Sequence, residues 1–250
     1  MTNYTIAETY ELPSLGKIYD SEINPVVTIK SMTTEQEQKR LAVTDYPYRM
    51  LCEIIDDCIV GDIGISSYDM CVGDYQFLLY KLRTVTYGSD YIMDVRCPYC
   101  GFTRKETVNL DELPPIKYTE EFNNYRRFTL PKTGVEIELN IQTPRMLDNV
   151  VNKAREFKAK FPGSSDPTLT YTIKYLIRTI DGKNPDPLKV EQWIKELPMA
   201  DVNTIITYAE KMNNLIGIDT NLIIHCDVCG LYQDAQLSIG KEFFRPALNI

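Results

Sequence analysis

Apolar positions near the N-terminus first follow an extended pattern and then a helical one. Residues 1–30 read as extended chain, and Val26–Lys30 within them is a strand candidate. A capping box at Thr33 predicts the start of a short helix. Apolar stripes predict two further helices, over roughly 47–59 and 74–87. A strand region followed by a helical region is therefore expected in the first third of the chain.

The middle of the chain alternates with a period of two residues and then returns to helical spacing. Segment 135–141 alternates apolar and polar residues, and with segment 127–131 it predicts a hairpin that buries one face. Another helix is predicted from Pro198 to about Ile216. Three earlier helix starts each place Pro after a capping residue, at Thr143-Pro144, Asp166-Pro167 and Asp186-Pro187. Together these four helices predict a small helical bundle.

Four of the seven cysteines form two matched pairs, Cys97-Pro-Tyr-Cys100-Gly and Cys226-Asp-Val-Cys229-Gly. A CxxC pair followed by Gly is typical of a metal knuckle, whose tight turn points two thiolates at one ion. Backbone N–H groups in such a turn are free to bond to the sulfurs. Two knuckles supply four thiolates, the donor set of a tetrahedral structural zinc site. We therefore predict one zinc ion bound by Cys97, Cys100, Cys226 and Cys229.

Predicted strands on both sides of the cysteine pairs indicate a zinc ribbon. Segments 91–95 and 222–225 precede the two pairs, and residues 231–239 alternate in polarity after the second. Common ribbons have about 15–20 residues between knuckles. Here 125 residues separate Cys100 from Cys226, so a whole subdomain would be inserted. The alternatives are unrelated buried thiols or a redox pair, although a thioredoxin-type CxxC opens a helix and neither pair does.

The remaining cysteines and the single histidine fit structural positions. Cys52, Cys58 and Cys71 lie in apolar surroundings, for which core packing is the better interpretation. His225 stands next to Cys226 and is either a competing metal ligand or, more simply, a side chain on the surface near the site.

The usual catalytic residue sets are missing from the sequence. The chain has one histidine and contains no GxxxxGK[ST], GxGxxG or GxSxG motif. Most acid–base and triad mechanisms use a histidine, and a closed four-thiolate site activates no water. We therefore expect no catalytic residues, no organic cofactor and no enzyme activity.

Charge and composition narrow the class of protein further. The 250 residues include 27 basic and 35 acidic ones, which gives a net charge of −8, and 44% are hydrophobic, as in globular chains. No apolar run reaches the roughly 18–20 residues of a membrane helix, and the N-terminus lacks secretory features. An odd number of cysteines without a signal peptide indicates a reducing compartment. No membrane partner is expected, and the oligomeric state is left open.

The acidic balance also weighs against nucleic acid as the main partner, since duplex-binding domains are usually basic. One local feature keeps a second function open. Basic and aromatic residues that suit phosphates and base stacking flank the first cysteine pair: Arg96, Tyr99, Phe102, Arg104 and Lys105. The alternative is thus a zinc-ribbon nucleic-acid-binding or transcription-associated factor.

Three short motifs occur together in this chain. The first is Leu12-Pro-Ser-Leu-Gly-Lys-Ile-Tyr19, followed by the strand Val26–Lys30 and by Met32-Thr-Thr-Glu-Gln-Glu37 at a helix start. The second is Gly73-Asp-Tyr-Gln-Phe-Leu-Leu-Tyr-Lys-Leu-Arg83, and the third is the first knuckle with its distant partner. Together they resemble the T4-like baseplate hub and hub-assembly proteins of contractile-tailed bacteriophages. The resemblance is loose over the whole length and specific mainly over 10–110.

The resemblance implies a protein that works without catalysis, through contacts with other phage tail and baseplate proteins. It also implies a location in the virion tail baseplate, or in the host cytoplasm during assembly. Some members of the family are hub components and others are assembly factors, and the motifs here do not separate these roles.

The predicted fold class is α+β, in which a four-cysteine zinc ribbon carries a large inserted β-hairpin plus helical bundle. The N-terminal extended segment is either a docking arm or an edge strand of its own domain. An acidic, proline-bearing segment, 111–121, is interpreted as the linker into the insert. The predicted regions are an extended N-terminal segment over 1–32, a helical region over 33–90, the two ribbon halves over 91–110 and 218–250, and the insert over 111–217.

Overall fold

Eight α-helices and five small antiparallel sheets make up the described part of the computed structural model, which covers residues 6–237, 239, 243 and 244. The chain is therefore a mixture of helices and sheets, in agreement with the expected mixed class. Across the described residues, every helix is too short or too polar to cross a membrane.

The N-terminal region forms a three-stranded sheet. Strand β1 (Ala7–Glu11) pairs with β2 (Val26–Lys30) along its whole length, and β2 pairs on its other side with β3 (Ile59–Val60). The backbone N–H of Leu12 donates to Pro25 at 2.8 Å and extends the pairing. Because β1 is bound to its own sheet, the structure favours the edge-strand interpretation over a free docking arm.

Helix α3 is the centre of the N-terminal region. Helices α1 (Thr34–Arg40) and α2 (Pro47–Cys58) pack on each other, and α2 packs on α3 (Val72–Tyr87). Twelve of the sixteen residues of α3 are buried. A helix at the surface of a protein exposes a broad polar face, and α3 exposes much less. The predicted capping box of α1 is confirmed, since the N–H of Thr33 donates to the Gln36 side chain at 3.0 Å.

A hairpin follows α3 and leads into the insert. Strand β4 (Asp90–Arg96) pairs with β5 (Thr103–Asn109), and the first cysteine pair lies in the turn between them. A short 3-10 helix (Leu110–Glu112) and strand β6 (Pro115–Ile116) come next. The segment interpreted as a linker therefore carries regular structure, because its prolines suit a short edge strand.

The insert contains the expected hairpin, extended by one strand. Strand β7 (Arg127–Thr129) pairs with β8 (Glu136–Leu139), which confirms the hairpin, and β9 (Ile177–Ile180) pairs with the other edge of β8. Ile177 follows directly after the helix Thr168–Leu176 and continues the apolar positions of that helix, Ile173 and Leu176. Ile177 and Ile180 are three residues apart, which is not the spacing of a strand, so the hydrogen bonds from the free edge of β8 decide the conformation of this segment.

Five helices complete the insert, and the capping-residue–proline starts open three of them. Thr143 caps α5 by accepting the N–H of Met146 at 3.2 Å. The α7 start lies three residues after Pro187, because a turn based on Asp186 precedes it. The helices are α4 (Glu121–Arg126), α5 (Pro144–Lys160), α6 (Thr168–Leu176), α7 (Val190–Glu196) and α8 (Met199–Asn213).

The insert begins and ends at one place, which we call the neck (114–116 and 217–219). Strand β10 (Gly217–Ile218) pairs with β6, and the N–H of Asp219 donates to Pro114 at 2.9 Å. After the neck, strand β11 (Asn221–His225) pairs with β12 (Tyr232–Gln236), and the second cysteine pair lies in their turn. The interpretation of the two cysteine-bearing hairpins as halves of one zinc ribbon stays a prediction.

Two hydrophobic clusters lie on either side of the neck. The first surrounds α3 and includes buried side chains of α2, β2 and the described C-terminal residues Phe243 and Phe244. The second fills the insert between its sheet and helices. Ile18 and Cys71 come from the N-terminal region but belong to the second cluster. The two clusters are therefore joined, and the domain boundaries given above stay a prediction.

Candidate metal centre

The two cysteine pairs fold into the same turn. In the first, the N–H of Gly101 donates to the carbonyl of Cys97 at 2.9 Å, and in the second, Gly230 donates to Cys226 at 2.8 Å. Both glycines have positive φ, at 75° and 72°, a conformation that other residues resist. The Gly after each pair is thus what allows the turn to close.

A second hydrogen bond fixes each turn to its hairpin. The N–H of Cys97 donates to Phe102 at 2.8 Å, and that of Cys226 donates to Leu231 at 2.9 Å. The equivalent bonds show that one five-residue pattern, repeated in the sequence, gives the same backbone geometry twice. Each hairpin therefore presents its two thiols in the same direction relative to its strands.

The four thiols meet, although the two pairs lie far apart in the sequence. The Sγ atoms of Cys97 and Cys229 are 3.7 Å apart, as are those of Cys100 and Cys226. All four Sγ atoms lie within 4.8 Å of one another. A zinc–sulfur distance of about 2.3 Å places tetrahedral sulfurs roughly 3.8 Å apart, whereas a disulfide requires about 2.05 Å. The spacing therefore fits four ligands around one ion.

Hydrogen bonds from backbone N–H groups favour the thiolate form that a metal needs, but at Cys100 and Cys229 desolvation and the neighbouring thiols outweigh them and raise the pKa of the thiol. Backbone N–H groups of Cys229 and Val228 point at the Cys226 sulfur and lower the pKa of its thiol to about 6. Desolvation opposes the same change at Cys97, but N–H groups of Cys100 and Tyr99 outweigh it and lower the pKa of that thiol. Clustered thiolates repel one another, so a cation at their centre would stabilise the site.

The surroundings of the thiols are polar and partly accessible. Cys97 and Cys226 are buried, Cys229 is half-buried and Cys100 is exposed. Arg104 of the first hairpin pairs with Asp227 of the second, so an ion pair as well as the thiols joins the two turns. These features describe a closed site at the tips of two hairpins, with all four donor positions supplied by the chain.

His225 lies outside the group of four thiols that the described residues offer to an ion. Its Nδ1 is 3.6 Å from the Asp227 carboxylate, and its ring packs against Tyr232 at 5.1 Å between centroids. This placement agrees with the simpler of the two interpretations, a surface side chain near the site.

The other three cysteines are core residues, as expected. Cys52, Cys58 and Cys71 are all buried. Burial raises the pKa of Cys52 to about 12 and that of Cys58 to about 11. Neutral thiols in apolar surroundings are poor metal ligands, so these positions do not compete with the four thiols above.

The residues of the nucleic-acid interpretation lie around the first turn. Tyr99 and Phe102 are exposed, at 63% and 42%, and so are Arg96 and Lys105. The charge of Arg104, however, is matched by Asp227 and by Glu106 at 2.7 Å. The basic surface available to a phosphate is thereby reduced.

A buried polar network that the sequence analysis missed joins the first two motifs. The N–H of Ser14 donates to Asp74 at 2.9 Å, and the Tyr19 hydroxyl donates to the same carboxylate at 2.6 Å. The N–H of Cys71 in turn donates to the Tyr19 oxygen at 3.1 Å. Asp74 is fully buried at the start of α3. An aspartate in the first turn of α3, among mostly buried neighbours, was the one signal of this network in the sequence.

The chain matches a known protein family over nearly its whole length. A family model described as T4 bacteriophage base plate protein matches residues 3–245. No curated protein and no solved structure matches this chain. The matched stretch includes all three motifs and both cysteine pairs.

Proposed function

The chain belongs to the T4 bacteriophage base plate protein family, and from this membership we propose that it is a baseplate hub component or a hub-assembly factor. It acts through contacts with other phage tail proteins and catalyses no reaction. The single observation that carries the proposal is the family match, which spans nearly the whole chain.

The cysteine site supports a structural role. We propose that Cys97, Cys100, Cys226 and Cys229 bind one zinc ion, since sulfur donors at tetrahedral spacing suit zinc and leave no position for a substrate. Zinc at this position would hold together two hairpins that the insert separates in sequence. A protein stabilised in this way can present rigid contact surfaces to its partners.

The test is quantitative mass spectrometry of gradient-purified particles of the phage that encodes this chain. If this protein is present in the purified particles at a copy number that matches the symmetry of the baseplate, it is a hub component. Absence from particles, together with capture of baseplate proteins from infected lysate, would identify an assembly factor that works in the host cytoplasm.

The competing function is that of a zinc-ribbon nucleic-acid-binding factor, favoured by exposed Tyr99 and Phe102 beside Arg96 and Lys105. Salt-sensitive binding of DNA or RNA at physiological ionic strength, without capture of any tail protein, would replace our proposal with this one.

A further inference from the structure

A cleft lies where the first motif meets the insert, away from the cysteine site. Its volume is about 550 Å³. Ile18, Ile141, Met146 and Tyr175 are among the side chains that give it an apolar floor. Three guanidinium groups line it, and we call it the arginine cleft after Arg126, Arg145 and Arg178. The elements that form the cleft are packed on the two joined hydrophobic clusters. The shape of the cleft is therefore fixed by the fold.

The three arginines differ in how far their charges are matched. Arg145 forms a two-pronged pair with Asp69, at 2.5 and 2.8 Å, and is fully engaged. Arg178 contacts Asp20 at 3.0 Å, but that carboxylate is 74% exposed and can turn toward solvent. Arg126 is matched least, because its Nε atom is buried and has no hydrogen-bond partner among the described residues. Buried polar atoms without a hydrogen-bond partner are rare, and a water molecule or an ion bound beside the atom is one explanation for them.

Glu138 does not remove this positive excess. It accepts a hydrogen bond from Arg127 at 2.9 Å, while the Nε atoms of Arg178 and Arg126 lie 3.7 and 3.9 Å away. Partial burial opposes ionisation, but the bond from Arg127 and the three nearby charges lower the pKa of Glu138. One carboxylate is therefore shared by three guanidinium groups, and those of Arg126 and Arg178 retain capacity for another anion.

The chemistry of the cleft selects a carboxylate over a row of phosphates. Guanidinium groups bind the two oxygens of a carboxylate side by side. Asp20, Asp69 and Glu138 stand among the arginines and would repel a polyanion, as would the net charge of −8. The apolar floor requires an apolar group next to the charge. A peptide segment of a protein has both features.

We propose that the arginine cleft binds a peptide segment of another tail protein, in which an Asp or Glu side chain or a C-terminal carboxylate stands beside an apolar residue. The carboxylate lies between Arg126 and Arg178, and the apolar side chain covers Ile141 and Met146. This inference rests on the proposed function, since it names the chemistry of a baseplate partner.

The probes are fluorescent 15-residue peptides that overlap along the other tail proteins of the same phage. We expect a peptide with an acidic residue next to an apolar one to bind, and binding to weaken at least tenfold when that residue is changed to its amide. R178Q should also weaken binding at least tenfold and keep the circular dichroism spectrum, because Arg178 is one-third exposed. R126K keeps the charge but loses the planar fork, so its affinity should fall between wild type and R178Q.

The matched control is R155Q, since Arg155 is an exposed arginine that pairs with Asp45 outside the cleft. Its affinity should equal that of wild type. The proposal is overturned if no tail peptide binds, if R178Q binds as tightly as R155Q, or if a single-stranded oligonucleotide competes for the cleft more strongly than any peptide. These failures leave the proposed function intact as long as wild-type protein is found in particles or captures tail proteins.

Discussion

At the scale of single residues, Gly73 occupies a position that a larger side chain cannot share. A Cβ atom added there would lie 2.1 Å from the carbonyl oxygen of Ile216. The obstacle is backbone that leads into the neck, which cannot rotate away as a side chain can. The glycine therefore allows the start of α3 to touch β10 directly.

We predict that Gly73→Ala lowers the free energy of unfolding by about 3 kcal/mol, near the upper end for overpacked sites. Helix propensity alone predicts the opposite sign, a gain of about 1 kcal/mol. Urea denaturation followed by circular dichroism measures the difference.

The matched control is Gln76→Ala, an exposed position in the same helix, which should change stability by less than about 0.5 kcal/mol. Equal stability of Gly73→Ala and wild type would mean that α3 and the neck do not approach as described.

At this scale, the contacts of some residues can be predicted from the sequence and those of others cannot. The four thiols could be predicted because their spacing carries the chemistry of one ion. The partners of Asp74 could not, since its hydrogen bonds go to Ser14 and Tyr19, more than fifty residues away. The local sequence pattern shows which residues are polar. It does not show which distant group each of them will form a hydrogen bond with.

At the scale of elements, the two cysteine-bearing hairpins are the parts that the proposed zinc ion would stabilise. Each is a two-stranded sheet, and such hairpins are marginally stable on their own. Their tips contact each other through the thiols and the pair between Arg104 and Asp227. An ion held by all four sulfurs would thus supply most of the connection between them.

Removal of zinc by a chelator should raise amide hydrogen exchange in β4, β5, β11 and β12 and leave the insert protected. Mass spectrometry of the exchanged protein measures both regions at once.

We also expect Cys97→Ser or Cys229→Ser to lose the metal and to become insoluble, because three thiolates leave the site open.

Cys52→Ala is the control, since it changes a buried thiol outside the site and should keep about one zinc per chain. A soluble, cooperatively folded and metal-free Cys229→Ser protein would contradict the structural role of the ion.

Elements with a strong period were predictable, and elements made by long-range pairing were not. The hairpin of β7 and β8 and the helices α2, α3, α5 and α8 follow their apolar patterns. Strand β9 and the pair β6–β10 were missed, because four-residue and two-residue strands have no period of their own. Their hydrogen-bond partners determine their conformation.

At the scale of the whole molecule, Asp148 joins the insert to the N-terminal region. This buried carboxylate of α5 accepts the N–H of Arg49 at 2.8 Å and the hydroxyl of Tyr68 at 3.1 Å. It thereby caps α2, which has no capping side chain of its own. Nearby, Arg145 of the insert pairs with Asp69 of the N-terminal region.

We expect the wild-type protein to unfold in a single calorimetric transition, because its two hydrophobic clusters share these contacts.

Asp148→Ala should lower the free energy of unfolding by about 2 kcal/mol, the upper cost of a lost helix cap. Asp45→Ala removes an exposed carboxylate and should cost less than about 1 kcal/mol. Two separate transitions in wild type would show that the clusters fold independently.

The close approach of the two cysteine pairs could be predicted at this scale. Four thiolate ligands of one ion must lie close together, however far apart they are in the sequence. The packing of Ile18 and Cys71 into the insert could not be predicted. It depends on the shapes of two surfaces that form only after folding.

The order of synthesis gives the long separation of the cysteine pairs a further meaning. At ribosomal rates of 5–20 residues per second, the 125 residues between Cys100 and Cys226 take roughly 6–25 s to make. During that time the first hairpin exists with half a site. The residues of β10 emerge before Cys226, so the neck can close around a finished insert first. The second cysteine pair then follows, so the proposed metal site would be completed only after everything between the two pairs has been made.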